Sequence, residues 1–94
     1  MSTVKVVQEA PQQNYFTGVE YQGGNATSLR LAGYKEGQWA TYKQWFEHGY
    51  QVQKGEHGHS IMVVKDKDDD PTKKAVRYYK VFNVAQVQPI EVSN

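Results

Sequence analysis

The chain has 94 residues, of which 38% are hydrophobic and 22% are charged. This length suits one small domain, and the composition is too apolar for a disordered chain and too polar for a membrane-spanning one. The absence of cysteine excludes disulfides, thiolate zinc sites and cysteine nucleophiles. The first residues lack the layout of a secretory signal peptide, so we expect a cytoplasmic protein with no membrane partner.

The charges are nearly balanced in number but not in position. Eleven Lys and Arg residues stand against ten Asp and Glu residues, and four of the acids fall within residues 66–70. Outside that segment, ten basic and six acidic residues remain. A fold that holds residues 66–70 away from the rest therefore presents a basic surface, as a nucleic-acid-binding protein requires.

The first third of the chain predicts an arm, turns and a short helix. We expect residues 1–13 to be a flexible arm with a short strand at 4–7, residues 14–88 to form the domain, and residues 89–94 to be a tail. Residues 17–18 and 23–24 contain glycines and predict turns. Asn25 is a suitable N-cap for a helix over 26–32, and Gly33 is suited to a left-handed residue at its end.

A second helix is predicted over residues 42–48, with Thr41 as its N-cap and Gly49 at its end. Tyr42, Trp45 and Phe46 fall on one face of this helix because they are spaced at i, i+3 and i+4. The spacing favours Trp45 and Phe46 as core residues.

Residues 52–59 predict a loop, and two strands follow at 60–65 and 75–84. The polar run 66–74 predicts an exposed loop between them, and a final turn is expected at 85–87. Alternation in the second strand places Tyr78, Lys80 and Phe82 on one face and Arg77 and Tyr79 on the other. The expected fold class is α+β, a small single domain with short helices packed on an antiparallel sheet that contains a C-terminal β-hairpin.

Aromatic residues stand beside cations and amides in several segments, and they make up 13% of the chain. A single-stranded nucleic acid offers bare base faces and a charged backbone, so its binding site needs rings and Lys or Arg side chains. Equally, rings such as Trp39, Trp45 and Phe82 can be core residues beneath a surface of solvating lysines. Composition and spacing alone leave both readings open.

Two other kinds of site are weighed against this one. The pair His57 and His59 could hold a metal ion for a nuclease, with Glu56 beside it. No clear third ligand completes the pair, so solvent-facing histidines are the simpler interpretation. No nucleophile–base pair, paired carboxylates or phosphate-binding glycine loop is present. We therefore expect no enzyme activity, no cofactor and no metal. The acidic residues 66–70 could instead dock on a protein partner.

The order of short motifs resembles the N-terminal single-stranded-DNA-binding domain of ArdC-type antirestriction proteins, found on plasmids and phages. The matching residues are Asn14, Thr17, Gly18, Tyr21, Gly23 and Asn25, then 39–44 (WATYKQ), Gly49, 52–58 (VQKGEHG) and 78–87 (YYKVFNVAQV). The family's pattern has proline where this chain has Tyr15. The metalloprotease-like domain that follows in longer relatives has no counterpart in these 94 residues, so we expect no protease activity.

The resemblance implies an α+β domain that binds single-stranded DNA with little sequence preference. It also implies a role in plasmid or phage antirestriction or DNA metabolism in a bacterial cell. Combined with the residue patterns, it gives ten candidate binding residues: Asn25, Trp39, Tyr42, Lys43, Gln44, Lys54, Arg77, Tyr79, Lys80 and Asn83. The cations are assigned to phosphates, the rings to base stacking and the amides to hydrogen bonds. Glu56 is expected to fix Lys54 or the loop amides. The sequence does not distinguish DNA from RNA as the ligand and does not specify the oligomeric state. The alternative function is docking on a protein, such as a restriction or defence enzyme, that the domain would inhibit.

Overall fold

The structure is a computed structural model, and it describes residues 11–91. In chain order the elements are β1 (Gln13–Asn14), α1 (Gly23–Leu31), β2 (Gln38–Thr41), α2 (Tyr42–Glu47), β3 (Tyr50–Val52), β4 (His59–Lys67), β5 (Asp70–Asn83), a 3₁₀ turn (Val84–Gln86) and β6 (Val87–Pro89). One sheet has the strand order β1-β2-β5-β4, and β3 pairs with β6 in a second, two-stranded sheet. The expected α+β class is confirmed, although β1 runs parallel to β2 and makes the larger sheet mixed.

The two faces of the larger sheet are covered by different elements. On the α1 face, Leu29 of α1 packs with Trp39, Ile61 and Val81. On the opposite face, here called the α2 face, Trp45 of α2 packs with Ala40 and Val87, and Phe82 lies against this cluster. Each small core therefore uses alternate residues of the same strands, because successive side chains in a strand point to opposite faces.

Helix α2 forms where its capping residues predict it. Thr41 Oγ1 accepts from Gln44 N at 3.1 Å, and Gln44 Oε1 accepts from Thr41 N at 3.1 Å, which completes a capping box. Gly49 follows with φ +86°, a conformation that glycine adopts without strain. The prediction for the helix is confirmed, but Phe46 is exposed rather than a core residue, and only Trp45 is buried in α2.

Helix α1 starts earlier than predicted. Its N-cap is Gln22, and Gly23 and Gly24 form its first turn instead of a turn before it. Asn25 is not the cap because its side chain pairs with the backbone of Met62 in β4. Gly33 has φ +81° and its N–H donates to Arg30 O at 3.1 Å, as predicted for the residue that ends the helix.

The β4–β5 hairpin is longer and its turn tighter than predicted. The prediction of a loop over 66–74 is wrong, because β4 extends to Lys67 and β5 starts at Asp70. Asp68 and Asp69 have φ 54° and 59°, the left-handed values of a type I′ turn, which short polar side chains tolerate. From Met62 to Lys80 no residue is buried, so this part of the hairpin, here called the ribbon, projects from the core.

The ends of the described region are tied into the fold. Gln12 is buried and accepts from Trp39 Nε1 at 2.7 Å, and Gln13 forms β1, so the structured part begins before residue 14. At the other end, Ile90 N donates to Gly49 O at 2.9 Å. The strand expected at 4–7 lies outside the described residues. Within residues 11–91, no helix has the length and apolarity needed to cross a membrane.

Two half-buried phenol groups lower the stability of the fold at alkaline pH. Burial raises the pKa of Tyr21 above its ordinary value of 10.0, and the hydrogen bond from Asn14 offsets part of that rise. Burial and the charge of Glu56 raise the pKa of Tyr34 in the same way. The unfolded chain therefore loses these protons at a lower pH than the folded one, so the stabilisation is complete below pH 10 and is lost as pH rises above it.

We accordingly expect the free energy of unfolding to fall as pH rises from 10 upward. Tyr21→Phe should lose part of this pH dependence, because it removes one of the two phenols whose pKa is raised. Urea titrations at several pH values measure the effect. An unfolding free energy that stays constant above pH 10 in the wild type would contradict the assignment.

Candidate nucleic-acid interface

Four aromatic side chains follow one another along the α2 face. The rings of Tyr42 and Phe46 are nearly parallel, at 7°, with centroids 6.5 Å apart, and the Phe82 ring meets Tyr42 edge-on at 6.3 Å. Alternation along β5 places Lys80 and Tyr78 on the same face as Phe82. Phe46, Tyr42, Phe82 and Tyr78, with Lys80 between the last two, are here called the ring row.

The ring row is open to solvent over most of its length. Tyr42 is 56% exposed, Phe46 58% and Tyr78 71%, while Phe82 is half-buried against the core. Exposed large rings are costly in a small domain because they are left in water, so a contiguous set of them indicates a binding surface. Lys80 is also exposed and supplies a positive charge within the row.

Trp45 fixes the position of Phe82. The Trp45 indole N–H donates to Phe82 O at 2.9 Å, and its ring is buried in the α2-face core. The capping box at Thr41 sets the start of α2 and therefore where Tyr42 emerges from the sheet. These local signals place the two halves of the ring row, one on α2 and one on β5, side by side.

The loop after β3 is pinned against the same surface. Gln86 Nε2 donates to Glu56 Oε1 at 3.1 Å and to His57 O at 2.8 Å, while Gln86 Oε1 accepts from Asn83 N at 2.8 Å. Glu56 is thus held by Gln86. At the end of the loop, a Cβ built on Gly58 would lie 3.0 Å from both Lys80 Cβ and Phe82 Cζ. Any other residue here would push Lys80 or Phe82 aside by a few tenths of an ångström, so glycine suits this close approach.

The ten residues singled out by sequence do not form one surface. Tyr42 and Lys80 belong to the ring row, and Lys43 and Lys54 are exposed on α2 and on the pinned loop. Arg77 and Tyr79 point to the α1 face of the ribbon, opposite the ring row.

Four of the ten are engaged in the fold itself. Trp39 is fully buried, so no base can reach its ring, and Asn83 is fully buried with Nδ2 donating to Glu36 O at 2.6 Å. Gln44 Oε1 accepts from Thr41 N and from Asn14 Nδ2, at 3.1 and 2.9 Å. The Asn25 amide pairs with the β4 backbone. The structure therefore corrects the assignment of Trp39 as a stacking residue and of Asn83 as a contact residue.

Sequence reasoning missed Phe46 and Tyr78 as surface residues. Phe46 was expected in the core because it lies at i+4 from Tyr42, but α2 is so short that Trp45 alone fills the space above Ala40 and Val87. Alternation in β5 did place Tyr78 beside Lys80 and Phe82, which was the available signal.

The acidic segment lies at the far end of the ribbon. About ten residues of β5 separate Asp70 from Lys80, a distance of about 30 Å for an extended strand. Because charges are screened over about 8–10 Å at moderate salt, the acids do not cancel the potential around Lys80. Asp66 is in addition paired with Lys74 across the ribbon. The fold therefore holds the acidic segment away from Lys80.

Metal ligands do not converge in the described region. Among residues 11–91, no three His, Asp or Glu side chains are placed to share a metal ion. The His59 ring instead meets the edges of Trp39 and Tyr34, at 5.2 and 5.7 Å.

Comparison with known proteins identifies the family of this small α+β domain with a two-sided core and an exposed ring row. Residues 3–84 match the N-terminal domain of the anti-restriction factor ArdC, so the chain belongs to this domain family. The resemblance drawn from the sequence motifs is thereby confirmed.

Solved structures agree with this assignment. The Mn(II)-bound antirestriction protein ArdC of the R388 plasmid is 29% identical, with a TM-score of 0.73 over 86% of this chain and 35% of that one. Its metal-free structure is 27% identical with a TM-score of 0.69, over 86% and 33% of the two chains.

Two curated relatives are longer proteins. Uncharacterized protein y4eC of Sinorhizobium fredii is 37% identical in an alignment 92 positions long; the match covers 79% of this chain and 30% of the relative. DNA primase TraC of Escherichia coli is 40% identical over 68 residues, 67% of this chain and 6% of the primase. The chain thus spans about a third or less of the length of the proteins it matches.

Proposed function

We propose that this domain binds single-stranded DNA without catalysing a reaction, and that the ring row is the binding surface. The observation that carries the proposal is the ring row, whose rings are exposed except for the half-buried Phe82 and which has Lys80 inside it. Rings accept the faces of unpaired bases, whereas the stacked bases of a duplex offer no such faces. The preference is therefore for single strands.

The spacing of the row suits a nucleotide chain. Along β5, side chains on one face repeat every two residues, so Lys80 stands about 6.6 Å from both Phe82 and Tyr78. A strand stacked on Phe82 and Tyr78 passes directly over the Lys80 ammonium. Lys43 on α2, with its side chain 85% exposed, and the exposed Lys54 are the further candidates for phosphate contacts.

The biological setting follows from the relatives by analogy. Members of this family include a plasmid antirestriction protein, and a relative is named a DNA primase. We propose that the domain serves antirestriction in the bacterial cytoplasm, by holding single-stranded DNA. Binding to one copy is modest, because the ring row spans only a handful of nucleotides.

Salt dependence tests the charge contribution. With three or four phosphates neutralised, log K against log salt should have a slope of about −2 to −3. Lys80→Gln should reduce the magnitude of that slope by about 0.7, because one phosphate contact is lost. Lys65→Gln, which removes the same charge from the α1 face of the ribbon, should leave the slope unchanged. Fluorescence anisotropy with matched single- and double-stranded oligonucleotides measures both effects.

Equal affinity for single strands and duplexes, or a slope near zero, would overturn the proposed function. Equal losses in the two lysine variants would mean that the ring row is not the contact surface.

A protein-docking function is the second candidate, and the exposed acids at the ribbon tip favour it. Asp68 and Asp69 are exposed at the far end of the ribbon. Their two negative charges resemble those of a pair of phosphates and could bind a basic protein surface. The double variant Asp68→Asn/Asp69→Asn keeps residues that tolerate the left-handed turn. We expect it to bind single-stranded DNA as tightly as the wild type or more tightly. Unchanged DNA binding with loss of antirestriction in cells would favour the docking function.

A further inference from the structure

A cleft of about 480 Å³ lies along the outer edge of β4, next to the end of the ring row. Its walls come from the first turns of α1 and from β4, and the Tyr78 ring borders it. The volume falls within the range of small-molecule sites in proteins. Because Tyr78 belongs both to the cleft and to the ring row, a strand that lies on the row reaches the cleft mouth.

Asn25 fixes the distance between the two walls. Its Nδ2 donates to Met62 O at 2.7 Å, and Met62 N donates to its Oδ1 at 2.8 Å. The side chain thus acts as the missing neighbour of an edge strand and fastens α1 to β4. The cleft is therefore formed before any ligand arrives, which lowers the entropy cost of binding.

Three polar side chains of the cleft are available to bind a ligand. Gln22, Ser28 and Ser60 form no side-chain hydrogen bond with any residue of the described chain. The Gln22 amide offers donors and an acceptor, and each hydroxyl offers both. Beside them lie apolar atoms of Ile61 and Met62 and the exposed face of Tyr78.

This combination matches the chemistry of a nucleobase. A base has two flat faces that stack on rings or apolar side chains and an edge of donors and acceptors. We propose that the cleft takes one base of the bound strand, with its face on Tyr78 and its polar edge toward Gln22, Ser28 and Ser60. This inference rests on the proposed function, because the strand on the ring row delivers the base.

Gly24 gives a variant that closes the cleft without damaging the fold. It lines the cleft, has no left-handed φ, and a Cβ built on it has no neighbour within 4 Å. Gly24→Leu should fill the cleft, and Gly24→Ala is the matched control because both replace glycine with a better helix former.

The experiment measures the affinity of hexathymidylate and of six derivatives, each abasic at one position, by fluorescence anisotropy. For the wild type, the abasic position that faces the cleft should weaken binding about tenfold more than positions at the ends of the strand. Gly24→Leu should lose this extra sensitivity, and Gly24→Ala should keep it. The double variant Ser28→Ala/Ser60→Ala should reduce it at least several-fold.

Two results would overturn the inference, and they differ from failure of the proposed function. If the wild type binds hexathymidylate but every abasic position costs the same, the strand uses the ring row alone. In a second experiment, thymidine monophosphate alone is titrated into the wild type, and we expect a dissociation constant in the millimolar range. Micromolar affinity would assign the cleft to a free nucleotide instead. A wild type that binds no single strand at all would refute the proposed function as well.

Discussion

A variant in which both Tyr42 and Tyr78 are replaced by alanine is expected to bind single-stranded DNA about 30-fold more weakly than the wild type, or weaker still. Each ring that stacks on a base contributes about 1–3 kcal/mol, and every 1.4 kcal/mol is a factor of ten in affinity. The two rings lie on different elements, one on α2 and one on β5, so their contributions should be nearly additive.

Tyr79→Ala is a closely matched control for Tyr78→Ala. Tyr79 is the immediate neighbour of Tyr78 but points to the α1 face, beside Ile61 across the β4–β5 pair. The substitution removes the same side chain from the same strand and should leave affinity within about twofold of the wild type if the ring row is the surface. A larger loss in Tyr79→Ala than in Tyr78→Ala would move the binding surface to the face of Arg77. Thermal unfolding of all the variants checks that they are folded.

Trp45→Ala should have the largest effect on stability. The side chain is fully buried, and its ring meets those of Phe16 and Tyr50 with centroids 5.0 and 5.4 Å apart. Replacing a buried tryptophan with alanine costs about 3–5 kcal/mol. A domain of this length has a total stability of about 5–14 kcal/mol, so the loss takes a large share of it.

The lost indole also leaves Phe82 O without its partner, because Trp45 Nε1 donates to it in the wild type. Trp45→Phe keeps much of the buried volume but not this hydrogen bond, so it should be destabilised less than Trp45→Ala. Urea unfolding followed by circular dichroism measures both. A Trp45→Ala variant as stable as the wild type would contradict the two-sided core described above.

The parts of the fold that sequence predicts well are those with strong local signals. Helix α2 has Thr41 and Gln44 in a capping box at one end and a left-handed glycine at the other. Its limits therefore depend on a few neighbouring residues. The α+β class and the hairpin strands follow in the same way from their β-branched and aromatic content.

The parts that it predicts poorly depend on distant contacts. Asn25 reads locally as a helix cap, but its side chain meets Met62, 37 residues away in the chain. Residues 66–74 read as a loop because they are polar, yet a two-residue turn at Asp68 and Asp69 lets both strands continue through them. In both cases tertiary pairing overrides local preference.

The candidate site shows the same division. Alternation along β5 correctly separates Lys80 and Phe82 from Arg77 and Tyr79, because period two is a property of any strand. Whether a given ring is buried depends on what covers it, and no sequence pattern states that α1 covers Trp39 or that α2 leaves Phe46 in solvent.

The most direct measurement of the central claim is an NMR titration of the isotope-labelled domain with a short oligothymidylate. We expect shift changes in the aromatic signals of Phe46, Tyr42, Phe82 and Tyr78 and in the Lys80 amide, with the signals of Tyr79, Arg77 and Leu31 unmoved. Shift changes confined to the α1 face, or to the ribbon tip at Asp68 and Asp69, would show that the exposed rings are not where the strand lies.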